Sequence, residues 1–91
     1  MALSGQTTVT TAGTEVLLNA DQRCELVAIK ALPANTGVMY VGNNGSNAVA
    51  STTGWPLSVG DSPIVLELKN LNQVYVDATV NGEGVAWIVM A

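Results

Sequence analysis

Seven carboxylates, one thiol and two indoles are the reactive or recognition-prone groups of this chain. The acids are Glu15, Asp21, Glu25, Asp61, Glu67, Asp77 and Glu83. A glycosidase needs two carboxylates held across a cleft. Most of these seven fall instead at turns or on outward strand positions, where a carboxylate simply solvates the surface. Cys24 stands alone, and no histidine exists to activate it. It reads as a small buried hydrophobe rather than a nucleophile. The lack of histidine also excludes a His-ligated metal centre and a His-based triad. Asp21, Asp61 and the loop asparagines do not show the spaced acidic pattern of a calcium loop. Gly42-Asn43-Asn44-Gly45 is glycine-rich, but no helix follows it, so it is not a phosphate loop. The expectation is no catalytic residue, no metal site and no cofactor. Of the aromatics, Trp87 sits mid-strand and is expected in the core. Trp55 precedes Pro56 in a loop, where its ring could close one end of the fold. Trp55 and Tyr75 are the candidate exposed aromatic contacts. With Tyr40 they are the only rings that could stack a sugar, and the sequence shows no cluster of them.

The segments that carry these residues read as strands. Val, Thr and Ile abound, and Gly, Asn and Pro punctuate the chain every eight to twelve residues or so, as in a sandwich or barrel. Segments 6–11, 15–18, 23–32, 36–41, 48–52, 64–68, 74–80 and 85–90 are predicted as strands. Gly54 to Asp61 is predicted as a structured loop. Ile64, Leu66 and Leu68 share one face, with Val65 and Glu67 on the other. Val74, Val76, Ala78 and Val80 are expected to face in, and Tyr75, Asp77 and Thr79 out. Asn81-Gly82-Glu83-Gly84 reads as a hairpin turn. The fold class is all-β, about eight short antiparallel strands in a two-sheet, jelly-roll-like sandwich. Segment 1–11 is expected as an extended arm or edge strand, and 12–91 as a single sandwich domain. The core is expected to hold Ile64, Leu66, Leu68, Val74, Val76, Ala78 and Trp87.

Composition narrows the function. The net charge is −4, and charged residues are only 11% of the chain, against roughly 25% in an ordinary domain. Arg23, Lys30 and Lys69 are the only cations, too few for a basic patch, so nucleic acid is not an expected partner. No apolar run approaches the roughly 18 residues of a membrane helix, and no membrane role is expected. The first residues have neither a basic region nor an apolar stretch, so a signal peptide is not expected. Val38–Val41 and Val85–Met90 are apolar on both faces, which asks for cover on both. A two-layer sandwich covers one face, so the second is expected to meet another subunit or a partner. Met39, Val41, Ile88 and Met90 are the candidate interface residues there. Leu3 and Val9 are the apolar pegs of the N-terminal segment, which can add to a sheet or reach a partner surface.

A resemblance adds to this. Val38-Met39-Tyr40-Val41-Gly42-Asn43 is followed by Gly54-Trp55-Pro56-Leu57, then Gly60-Asp61-Ser62, then Leu71-Asn72-Gln73-Val74-Tyr75-Val76. This order resembles small structural proteins of tailed-bacteriophage particles, of the capsid decoration or cement type. It covers about half the chain and is made of turn chemistry, because Gly, Asn, Pro and Asp accept or fix the required backbone angles. The resemblance implies a non-enzymatic virion protein on the capsid exterior, assembled in the host cytoplasm. It implies a homo-oligomer, a trimer by preference, bound to the phage major capsid protein through multivalent contacts. The alternative is a β-sandwich module of a head or tail fibre that binds glycan or a host surface.

Overall fold

The computed structural model describes residues 3–42 and 54–91. The strands are β1 (Leu3–Thr8), β2 (Val16–Leu17), β3 (Leu26–Ala31), β4 (Met39–Gly42), β5 (Trp55–Leu57), β6 (Ile64–Glu67), β7 (Tyr75–Ala78) and β8 (Gly84–Val89). A 3-10 turn, Leu71–Gln73, precedes β7, with Asn70 and Gln73 closing its N-terminus as a reciprocal capping box. The predicted strand 48–52 and the glycine-rich turn at 43–45 lie outside the described residues.

Two four-stranded antiparallel sheets pack face to face, in the orders β1-β8-β3-β6 (sheet A) and β2-β7-β4-β5 (sheet B). The pairs β4·β5, β3·β6, β2·β7 and β1·β8 nest inside one another along the chain. The topology is therefore one long hairpin rolled over, with β3·β8 and β4·β7 stitching the roll shut. This is a jelly roll, the form of two-sheet sandwich expected for a chain of this size.

Alternation decides what faces inward. Val27, Ile29 and Ala31 of β3 meet Val85, Trp87 and Val89 of β8 on the inner side of sheet A. Met39, Val41, Leu57, Val76 and Ala78 supply the inner side of sheet B. Ile29, Met39 and Leu57 are wholly enclosed, each removing apolar surface worth about 1.5–3 kcal/mol. Of the predicted core, Val74, Val76, Ala78 and Trp87 are buried, and Ile64, Leu66 and Leu68 are half-buried against it. Cys24 is buried, and loss of hydration pushes its thiol above the usual value.

Four expectations are corrected. Gly54–Asp61 is not wholly a loop, because Trp55–Leu57 pairs with β4 as the edge of sheet B. Pro56 is tolerated there because an edge strand can do without one ladder donor. Asn81–Gly84 turns the chain at Gly82 (φ 82°) but makes no hairpin, since β7 and β8 lie in different sheets. The Glu83 carboxylate holds this crossover. It accepts from the Thr36 and Gly37 backbone N–H groups and from the Thr36 hydroxyl. Val80 is exposed rather than inward, because β7 ends at Ala78. Asp77 belongs to the outward row of sheet B yet is buried, because the β1–β2 connection folds over it and Gly13 N–H donates to its carboxylate.

Candidate interaction surface

The outer side of sheet A is built by the residues that alternation turns away from the core. Strand register places Ser4, Ile88, Ala28 and Val65 in one row across all four strands. A second row holds Gln6, Ala86 and Lys30, and a third holds Leu26 and Glu67. Met90 extends that third row, its N–H donating to the Leu26 carbonyl. Ile88 is 43% exposed, Val65 53% and Met90 56%. A solvated sheet face normally carries polar side chains. Here the centre is aliphatic, and Lys30 and Glu67 are the charges that its rows carry among the described residues. A shallow depression of ≈ 350 Å³ is lined by Ser4, Ala28, Lys30, Pro63, Ala86 and Ile88.

The sequence-derived interface residues divide at this point. Ile88 and Met90 are on the outer face of sheet A, as their strand pattern requires. Val9, Met39 and Val41 are not available to a partner, because they are buried in the chain's own core. The two-faced pattern of Val38–Val41 has a different cause. Met39 and Val41 fill the sandwich, Tyr40 lies on the outer side of sheet B, and Val38 precedes the strand. Leu3 is half-buried and packs against the core from β1. The segment 1–11 therefore supplies an edge strand, and its Val9 sits inside the fold. Val65 stands on the outer face, as its strand alternation requires, and Ala28 joins it there without any signal of its own in the sequence. The Ile64/Val65/Leu66/Glu67 alternation carries the signal for Val65, but Ala28 acquires its place only through pairing with Ile88.

The aromatics also separate. Trp55 lies in the inward row Val16–Val76–Val41–Trp55 yet is 63% exposed. It sits where sheet B's edge faces β6 across an open seam, beside a cleft of ≈ 910 Å³ that Ile64, Leu66, Leu68, Glu25 and Lys69 also line. Tyr40 and Tyr75 are diagonal neighbours on the outer side of sheet B, Tyr40 opposite Asp77 and Tyr75 opposite Gly42. Trp87 is buried under β1, where Gly5 leaves room for its ring, and its Nε1–H donates to Thr7 Oγ1 at 3.1 Å. Thr7 Oγ1 in turn donates to the Leu18 carbonyl, which ties the two sheets together along the β1–β2 side.

The Glu83 carboxyl is held below its ordinary titration range. Donation from the Thr36 backbone N–H lowers its pKa, burial opposes this, and the Gly37 N–H and Thr36 hydroxyl lower it further. It is a structural strut, holding two crossovers at one end of the roll. No group of three or more His, Cys, Asp or Glu side chains that could hold a metal ion occurs among the described residues. No helix among them is long and apolar enough to cross a membrane.

Comparison with protein-family models, with curated proteins and with solved structures returns no match.

Proposed function

We propose that the chain is a non-enzymatic structural protein of a tailed-bacteriophage particle, decorating or cementing the capsid exterior through multivalent contacts. The observation that carries this reading is the aliphatic outer face of sheet A, on which Ile88, Ala28 and Val65 stand in one row. The sandwich core leaves that face uncovered, and the low charge of the chain suits a surface that spends its life against a neighbour. The turn motifs that resemble virion proteins supply the identity of that neighbour, the major capsid protein. Each copy then needs only modest affinity, because many copies bound side by side on one shell supply the rest.

The test is occupancy on particles that lack their native decoration protein. Wild-type protein should fill such particles. Ile88→Lys, which places a charge at the centre of the face, should lower occupancy by about tenfold or more, while Leu17→Lys, on sheet B, should not. Equal occupancy by both variants would move the docking surface elsewhere. Failure of the wild-type protein to bind would remove the capsid reading itself.

A second reading has a specific observation behind it. The exposed Trp55 beside the β5–β6 cleft is a ring on which a sugar could stack, as in a fibre-borne glycan module. Quenching or shift of Trp55 fluorescence by a glycan, lost in Trp55→Ala, would favour it.

A further inference from the structure

The four sheet edges of this jelly roll are unequal. β2 is only two residues long. β5 carries Pro56 in the middle of its three residues. β6 carries Glu67, follows Pro63 and borders the cleft. Each of these has a feature that discourages strand addition. β1 has none: Leu-Ser-Gly-Gln-Thr-Thr is six residues of uncharged, proline-free, extended chain at the outer edge of sheet A.

The ladder shows which of its groups are free. Met90 N–H donates to Leu26, so the backbone groups of Met90, Ile88 and Ala86 point to β3, and those of Val89, Trp87 and Val85 point to β1. Their partners on β1 are Leu3, Gly5 and Thr7. Val9 N–H, which donates to the Glu83 carbonyl, continues the same parity. The N–H and C=O of Ser4, Gln6 and Thr8 therefore point away from the sheet, and all three residues are exposed.

We infer that β1 pairs edge to edge with β1 of a second copy of this chain, antiparallel and about a twofold axis at Gln6. In that register Gln6 faces Gln6 of the second copy, Ser4 faces Thr8 and Thr8 faces Ser4. Every outward N–H and C=O of the three residues then meets its complement, which is the self-matching an isologous interface requires. The side chains match as well. Ser and Thr hydroxyls stand opposite one another and the two Gln amides lie side by side, each pair able to exchange hydrogen bonds. A charged or proline-bearing edge could not do this with itself. The product is a continuous eight-stranded sheet, with the aliphatic outer rows of both copies on one side. A pair of copies, rather than the trimer implied by resemblance, is what this edge provides. Such pairing is a property of the isolated chain and needs no capsid.

The test uses the full chain in solution. Sedimentation equilibrium from low to high micromolar concentration should give a dimer. Gln6→Pro removes an outward N–H and no ladder bond within the protomer, so the protomer should keep its near-UV circular dichroism. Its dimer should weaken by about tenfold or more. Gln6→Lys sets two like charges on the axis and should weaken it too, without any backbone change. Ile88→Lys should leave the dimer intact. Amide exchange at Ser4, Gln6 and Thr8 should slow as concentration rises. A monomer at all concentrations, a trimer, or a dimer abolished by Ile88→Lys but kept by Gln6→Lys would overturn the inference. Exchange at those amides that does not depend on concentration would do the same.

Discussion

Glu83 and Gly5 show how much of this fold hangs on single residues. Glu83 looks like one more turn carboxylate in the sequence, but its two oxygens accept three hydrogen bonds from Thr36 and Gly37. Its pKa is lowered in the folded chain. A depressed carboxylate contributes stability that is fully present above its unfolded value, about 4.3, and is lost as pH falls through the folded value. The wild-type denaturation midpoint should therefore drop on going from neutral pH to below about pH 4. Glu83→Gln should be less stable than wild type at neutral pH and show a flatter acid limb, measured by urea unfolding across that range. Gly5 has a steric role. A Cβ there would lie 2.6 Å from Trp87 Cζ2, so Gly5→Ala should force the indole or β1 to move. The expected cost is about 1–3 kcal/mol, read from chemical denaturation in a Trp55→Phe background so that Trp87 alone reports.

Strand β4 shows why a two-faced apolar pattern in an element need not mean a subunit interface. Met39 and Val41 are enclosed between the sheets, and Tyr40 takes the outer side. Met39→Ala should cost about 2–5 kcal/mol, as expected for emptying a closed core site. Trp55→Ala on the neighbouring strand should change stability by no more than about 0.5 kcal/mol, because the ring is mostly in solvent. Thermal or urea unfolding of the two variants side by side checks this pairing. Strand β8 carries the same kind of sequence to a different end: Val85, Trp87 and Val89 go in, and Ile88 stays exposed on the outer face of sheet A.

At the scale of the molecule, β1 closes the roll. It is paired along its whole length with β8, Val9 enters the core just beyond it, and the chain of Trp87, Thr7 and Leu18 joins the sheets there. Read as a sequence, Met1 to Thr10 holds few apolar residues and could pass for an arm that is dispensable to the fold. The structure leads to the opposite expectation. Deleting residues 1–10 would strip sheet A of an edge strand and uncover Trp87 and Val85. The deleted protein should lose its near-UV circular dichroism and its cooperative unfolding transition. A small domain, already marginal in the surface it can bury, has little stability in reserve for such a loss.

The class of fold and the rhythm of its strands were legible along the chain. Turn residues at regular intervals and β-branched alternation are local signals, and they sufficed for an all-β sandwich with Trp87, Val74, Val76 and Ala78 inside. They also marked Ile88 and Met90 as residues turned away from the core. Which strand lies beside which emerges only from the packed molecule. Nothing local says that Gly84 follows β7 into the other sheet, since Asn81-Gly82 supplies the same turn chemistry for a hairpin as for a crossover. Depth is likewise a property of the packed molecule. Asp77 and Glu83 are buried because distant loops, 64 and 46–47 residues away in sequence, bring N–H donors to them. Met39 and Val9 are interior, and Val65 and Ala28 form a surface row, because strands far apart in the chain fall into register. The free edge of β1 follows from the same cause: a strand's outward N–H groups have meaning only once its inward neighbour is known.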